Sequence, residues 1–210
     1  MKRTIFMMIA FYGLTFSLNA QNNLGKTDDL GRLAIAAIVP AQAEGIPPSA
    51  HQLLVNKMGQ IAVQNGLGAT PVNPRFCMIP LVNVLEKEIT PTAPPMQALT
   101  LDITFYIVDA LSQNIFSQTN IQAKGVGQTE DKAYIQAIRE INIKSGQFKG
   151  FVERGKEKII EFYNSQCDVI LKNAQALAGQ KQYEEALFIL LSVPDVCREC
   201  YDKCMDLSID

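Results

Sequence analysis

The stretch 99-LTLDITFYIVDALSQNIFSQTNIQAKGV-126 decides the fold. Its first part alternates between apolar and polar side chains, which is the period of a β-strand with one buried face. The apolar positions are Leu99, Leu101, Ile103, Phe105 and Ile107. Residues 109–114 supply a turn, and residues 115–126 return as a strand with a more polar face. The stretch therefore predicts a β-hairpin.

The segments before this hairpin predict a strand, a helix and a second extended segment. The apolar run 33-LAIAAIV-39 is typical of a buried strand. Residues 50–64 carry apolar side chains at helical spacing, and Ser49 is the expected N-cap. The extended segment 76–89 is interrupted by Pro80, which indicates an edge strand or a bulge.

A helix is predicted from about Gln128, directly after the hairpin. The resulting order is β-α-β-β-β-α. Because the strand connections after the first helix are short, we expect a mostly antiparallel sheet with helices packed on one face. This predicts an α+β sandwich domain over residues 32–145.

Residues 146–210 have a different pattern. From residue 151 onward there is no strand alternation, and apolar residues recur at helical spacing. One stripe consists of Phe162, Cys167, Ile170, Leu171, Ala174, Leu177 and Ala178, and a second of Tyr183, Ala186, Leu187, Leu190 and Leu191. We predict a small all-α helical hairpin that follows the α+β domain.

Composition excludes several classes of function. The chain has 210 residues and a formal net charge of -2, and it lacks the basic footprint of a nucleic-acid-binding protein. His51 is the single histidine, so a His-based zinc site or a Ser-His-Asp triad is not expected. No nucleophile, base and oxyanion donor can be grouped, which predicts a non-enzymatic protein without a cofactor.

The N-terminus has the pattern of a signal peptide over residues 1–20. Lys2 and Arg3 precede an apolar run of about a dozen residues, and the small residue Ala20 marks the expected cut. Residues 21–31 are polar, and we expect a flexible segment there. No later segment is apolar enough to span a membrane, so the sequence predicts a periplasmic or secreted protein, soluble after cleavage near Ala20.

The segment 125-GVGQTED-131 is similar to a phosphate-binding loop, because two glycines precede a predicted helix. However, the third glycine of a dinucleotide fingerprint and the Gly-Lys-Ser/Thr of a P-loop are missing. Glu130 and Asp131 occupy the place where a phosphate would lie. The pattern therefore predicts a strand-to-helix corner with Thr129 as the N-cap.

The cysteines allow three interpretations. Cys197, Cys200 and Cys204 share one helix face, and Cys167 lies one helix earlier. In an oxidising compartment Cys167 could form a disulfide with one of the three. Alternatively, all are reduced core residues, or three or four thiolates bind a metal. Because the chain has five cysteines, counting Cys77, at least one thiol is left over or pairs between chains.

Carboxylates also lie on the predicted strands. Asp102, Glu86 and Glu88 are of the type that carries acid–base catalysis. No two of them can be placed within reach of each other from the sequence, so we interpret them as a solvated sheet face. His51 is interpreted as a surface residue.

Two motifs within residues 32–142 resemble a group of envelope domains. The segments 107-IVDALSQNIFSQ-118 and 124-KGVGQTEDKAYIQAIREI-141 resemble the TolB N-terminal, curli-secretion lipoprotein and penicillin-binding-protein-activator type. That group consists of binding and scaffold modules, so the resemblance implies no catalytic residues. The chain lacks a cysteine at the expected cut and departs there from the lipoprotein members.

A third motif lies within residues 170–207. The segment 174-AQALAGQKQYEEALFILLSVP-194 resembles a tetratricopeptide hairpin, in which Ala174 fits the small residue of the first helix. The resemblance implies a protein-binding surface, with candidates Tyr183, Glu184, Leu187 and Tyr201. We therefore expect an exported interaction or envelope assembly protein with a protein partner. The alternative is a periplasmic module that binds a small molecule or glycan in the cleft between sheet and helix.

Overall fold

The computed structural model describes residues 33–40, 45–68 and 74–209. Four strands and five helices lie in this part of the chain. The strands are β1 (Ile35–Ala37), β2 (Phe76–Ile89), β3 (Gln97–Asp109) and β4 (Ile115–Gly127). The helices are α1 (Pro48–Gln64), α2 (Glu130–Arg139), α3 (Gly146–Gly179), α4 (Tyr183–Leu191) and α5 (Arg198–Ile209). The predicted signal peptide and the polar segment 21–31 lie outside the described residues.

The strands form one sheet in the order β1-β2-β3-β4. The predicted β-hairpin is confirmed, because β3 and β4 pair antiparallel from Gln97↔Gly127 to Val108↔Ile115. Strand β2 is antiparallel to β3 along its whole length, and only β1 is parallel to its neighbour. The α+β class with a mostly antiparallel sheet is thus confirmed.

One local prediction about the first half of the chain needs correction. Ser49 is not the N-cap of α1: the helix begins two residues earlier than predicted, at Pro48, with Pro47 in the cap position. Proline suits the first helical position, which Pro48 occupies, because its fixed φ matches the helix. An N–H at this position would have no intrahelical acceptor, so its absence in proline costs no hydrogen bond. Of the two alternatives predicted for Pro80, an edge strand or a bulge, the structure has the edge, and the bulge of β2 lies between Val84 and Glu86.

Pro80 lies where β2 becomes an edge. The pairing of β1 with β2 ends at Met78, and within the described residues no strand continues along that side of β2. The missing N–H of Pro80 therefore costs no ladder hydrogen bond.

Helices α1, α2 and α3 cover one face of the sheet. The apolar residues of β3 that point to this face are at most 2% exposed, and the ring of Phe148 on α3 meets that of Phe105 at a centroid distance of 5.5 Å. The opposite face carries half-buried polar residues such as Asp102 and Thr104. Lys57 on α1 donates hydrogen bonds to the carbonyls of Arg139, at the end of α2, and of Ile141, which connects the two helices.

Helix α3 begins at the predicted boundary between 145 and 146 and continues for 34 residues. Its first half packs on the sheet through buried residues that include Phe148, Phe151 and Ile159. Its second half packs against α4 and α5, and buried residues from all these elements belong to one hydrophobic cluster. Separate folding of residues 146–210 therefore remains a prediction. No helix among the described residues is long and apolar enough to cross a membrane.

Candidate functional site

The glycine-rich corner 125–131 is occupied by packing between a helix and a strand. A Cβ on Gly125 would lie 2.9 Å from the Cα of Ala137, and one on Gly127 would lie 2.7 Å from the carbonyl carbon of Lys132. The Thr129 hydroxyl accepts a hydrogen bond from the Lys132 amide at 3.3 Å, as predicted for the N-cap. The two glycines therefore allow β4 to pack closely against the backbone of α2, as a strand-to-helix corner requires.

A buried polar cluster lies at the end of β3 and was not predicted from the sequence. Asp109 is fully buried, and its Oδ1 accepts hydrogen bonds from the amides of Leu111 at 2.9 Å and Ser112 at 3.4 Å. Its Oδ2 accepts one from the Tyr163 hydroxyl at 2.8 Å and forms an ion pair with Arg75 at 3.3 Å. Every oxygen of the carboxylate is thus used within the fold.

Arg75 connects this cluster to the helical region. Its guanidinium lies 4.9 Å from the ring centroid of Tyr163, an attractive cation–π arrangement. It also donates hydrogen bonds to the Tyr163 hydroxyl and to the backbone carbonyl of Ser192 after α4. One side chain thereby holds the start of β2, the end of β3, helix α3 and the connection between α4 and α5.

The electrostatics of the cluster follow from these contacts. Burial alone would raise the pKa of Asp109, but the Tyr163 hydroxyl, the two amides and Arg75 together hold it below its ordinary value. Burial and the hydrogen bond to Asp109 raise the pKa of Tyr163. The Asp109 carboxylate is therefore ionised, and both its oxygens are hydrogen-bonded. Its contacts join the end of β3 to the following turn, to α3 and to Arg75.

The cysteines of the helical region meet between α3 and α5. The structure joins Cys167 and Cys200 in a disulfide with a Cα–Cα distance of 5.5 Å, and Cys204 and Cys197 are buried thiols. The sulfurs of Cys167, Cys200 and Cys204 all lie within 4.8 Å of one another. Burial, partly offset by Arg75, raises the pKa of Cys197 to about 11. The redox state of these cysteines in the cell, whether disulfide-bonded, reduced or metal-bound, stays a prediction.

Helix α4 presents an apolar face to solvent. Its stripe divides into two: Ala186 and Leu190 are buried, whereas Tyr183, Leu187 and Leu191 are exposed by 59%, 40% and 59%. Phe188, which the sequence interpretation omitted, is 61% exposed. We call the set Tyr183, Leu187, Phe188 and Leu191 the α4 face.

The other predicted partner residues lie differently. Glu184 is exposed in the first turn of α4, together with Glu185, so the α4 face has an acidic neighbour. Tyr201 belongs to α5, where it is half-buried and packs against the core. Helical spacing within α4 was the signal that could have identified Phe188.

The remaining candidates from the sequence do not form a group. The strand register places Asp102 opposite Asn83 and Glu86 opposite Thr100, whose hydroxyl donates to Glu86 at 3.0 Å. His51 is half-buried, with its Nε2 3.2 Å from the carbonyl of Ile46.

A groove of about 580 Å³ lies between α1 and β1, beside the bridge that Gly68 forms with Ile35. Its apolar lining includes Ile35, Val55 and Val63, and α1 contributes Asn56 and Gln60 on successive turns. This is the cleft between sheet and helix that the sequence suggested as an alternative site. Its size lies within the range of small-molecule pockets, about 300–1,000 Å³.

Comparisons with known proteins give distant structural neighbours but no family. No family model matches the chain, and no curated protein matches it. A minor lipoprotein from Acinetobacter baumannii is 15% identical, with a TM-score of 0.33 over 58% of this chain and 87% of that one. The PelC dodecamer from Paraburkholderia phytofirmans is 13% identical, with a TM-score of 0.33 over 60% of this chain and 90% of that one. Similarity at this level assigns no function to the chain.

Proposed function

We propose that this chain is an exported, non-enzymatic protein that binds a protein partner in the cell envelope through the α4 face. The observation that carries the proposal is the exposure of four large apolar side chains on a helix of nine residues. Contiguous exposed apolar side chains are typical of interaction surfaces. The signal-peptide pattern of residues 1–20 supports export.

The shape and charge of the α4 face favour a particular kind of partner. Tyr183, Leu187 and Leu191 recur at every fourth residue, which is the spacing with which a helix inserts into an apolar groove. Glu184 and Glu185 border the first turn. A partner of complementary chemistry therefore has an apolar groove with a basic rim, because the opposite charges speed association and a basic rim disfavours basic competitors.

The polar groups of the described residues support a binding role rather than catalysis. Asp109 is the carboxylate buried most completely among the described residues, and its two oxygens are bonded to Leu111, Ser112, Tyr163 and Arg75. The α4 face itself is convex and apolar, and its one polar group is the Tyr183 hydroxyl. Such a surface provides area for burial but no convergent donors for a reacting substrate.

The test is site-specific photo-cross-linking in cells that export the tagged protein. A photoreactive phenylalanine analogue at position 188 should capture one recurrent envelope protein, and the same analogue at the exposed position Ile209 should not. Ile209 is 83% exposed and apolar, so it is a matched control. Equal capture at both positions, or none at 188, would contradict the proposal.

The captured partner then allows a measurement of affinity with purified proteins. Truncating a central aromatic side chain of an interface costs about 2 kcal/mol or more, so Phe188→Ala should weaken binding by about 30-fold. Ile209→Ala should leave the affinity unchanged. The exposure of Phe188 predicts that its variant keeps the stability of the wild type, which thermal unfolding checks.

The second candidate is a small-molecule or glycan binder that uses the groove between α1 and β1. The amides of Asn56 and Gln60 can both donate to and accept from hydroxyl groups, and no charged side chain lines the groove among the described residues. A neutral, polar ligand is therefore expected. A thermal-shift screen of oligosaccharides should then give a hit that Gln60→Ala abolishes and Phe188→Ala retains.

A further inference from the structure

A third sulfur lies beside the disulfide between α3 and α5. Cys200 and Cys204 are four residues apart on α5 and so point to the same side, toward Cys167 on α3. The three sulfurs are mutually within 4.8 Å, and all three residues are buried. The Cys204 sulfur therefore lies beside both sulfurs of the disulfide.

The cluster fits disulfide exchange better than metal binding. The disulfide already uses the sulfurs of Cys167 and Cys200, which leaves a single thiol as a ligand. Zinc in structural sites takes four ligands, whereas this group brings together three among the described residues. A free thiol next to a disulfide, by contrast, is the arrangement that exchange requires.

The position of Cys200 on its helix favours it as the leaving group in an exchange. Cys200 lies in the first turn of α5, where backbone N–H groups lack intrahelical acceptors and the helix dipole favours negative charge. A thiolate at such a helix N-terminus is stabilised and leaves a disulfide more readily. Cys204 lies one turn farther along, away from this stabilisation.

We propose that Cys167, Cys200 and Cys204 form an intramolecular thiol–disulfide exchange site in which Cys204 and Cys200 compete for Cys167. The Cys204 thiolate attacks the Cys167 sulfur, the Cys167–Cys204 bond forms, and the Cys167–Cys200 bond breaks. The electron pair of the broken bond stays on Cys200, which takes up the proton that Cys204 lost. The number of disulfides is unchanged, so the step needs no oxidant or reductant.

The exchange has a defined structural consequence. It moves the covalent link between α3 and α5 by four residues, about 6 Å along α5. It also frees Cys200, which then forms a C-x-x-C dithiol with Cys197 at the start of the helix. The chain therefore has two covalent states of the same oxidation level.

The sequence makes the two states easy to distinguish. Trypsin cleaves after Arg198 and Lys203, which places Cys197, Cys200 and Cys204 on three separate peptides. Full-length protein purified without reductant is blocked with N-ethylmaleimide at acidic pH and digested, and the disulfide-linked peptides are identified by mass spectrometry. The Cys200→Ala variant should carry a Cys167–Cys204 link in place of the lost bond.

Matched variants define the outcomes. Cys204→Ala should contain Cys167–Cys200 alone, and Cys197→Ala should behave as the wild type. Wild type equilibrated with catalytic glutathione should yield both linked species, and this arm decides the matter even if Cys200→Ala fails to fold. Four results would each overturn the proposal. Two concern Cys200→Ala: a folded protein in which Cys167 and Cys204 are free, or one with a Cys167–Cys197 link. The other two concern the wild type: no Cys167–Cys204 link after equilibration, or stoichiometric zinc or copper bound to the reduced thiols.

Discussion

Removal of one hydroxyl from the Asp109 cluster gives the sharpest prediction. Tyr163→Phe keeps the buried ring but deletes the donor that lies 2.8 Å from the Asp109 carboxylate, and it also removes an acceptor used by Arg75. A hydrogen bond to a charged group contributes about 1.5–3 kcal/mol. Asp109 keeps its contacts to Arg75, Leu111 and Ser112, so we expect a loss of about 2–3 kcal/mol in the free energy of unfolding.

The chain supplies a matched control in Tyr134. Tyr134 and Tyr163 are both 2% exposed, but the Tyr134 hydroxyl is buried without a hydrogen-bond partner among the described residues. An unsatisfied buried hydroxyl is unfavourable, so Tyr134→Phe should be neutral or stabilising. The same atom is removed from two equally buried rings, and only its hydrogen bonds differ.

The assay is urea denaturation at pH 7, followed by far-ultraviolet circular dichroism. Tyr163→Phe should lower the midpoint without changing the slope, and Tyr134→Phe should not lower it. A double-mutant cycle of Tyr163→Phe with Asp109→Asn should give a coupling energy of about 1 kcal/mol or more. Equal losses for both tyrosine variants would refute the reasoning, because burial of the ring rather than the hydrogen bond would then account for the effect.

Three further predictions concern pH, glycine packing and helix capping. The pKa of Asp109 is lowered in the folded state, so its stabilising contribution is complete above its ordinary pKa of about 3.9. This contribution should be lost as pH falls through the pKa of the folded state. Asp109→Asn should therefore reduce the acid sensitivity of the free energy of unfolding, measured by urea denaturation between pH 6 and 2. Gly125→Ala should destabilise the protein by more than about 3 kcal/mol, because the added Cβ would meet the backbone of α2. Gly59 lies within α1, where a Cβ would meet no other atom, so Gly59→Ala should stabilise the protein by about 0.5–1 kcal/mol. Equal thermal shifts for the two glycine variants would contradict this. Thr129→Ala should cost about 1 kcal/mol by loss of the N-cap bond, and an unchanged melting temperature would count against that role.

Several functional features depended on contacts that no local pattern reveals. Asp109 reads as an ordinary turn residue after a strand, since aspartate is common in turns. Its partners Arg75 and Tyr163 lie 34 and 54 residues away in the sequence. Burial of a carboxylate is tolerated only when such partners converge, and their convergence is a property of the folded chain.

The sequence by itself determined the elements whose cause is local. Alternation over 99–109 requires a strand with one buried face, and Thr129 followed by Glu130 and Asp131 marks the start of a helix because these side chains satisfy its first N–H groups and its dipole. Only the tertiary structure decided which side of α4 is covered and which cysteine lies against Cys167. Helical periodicity defines the faces of a helix, but the neighbours that pack against it decide which face stays in water.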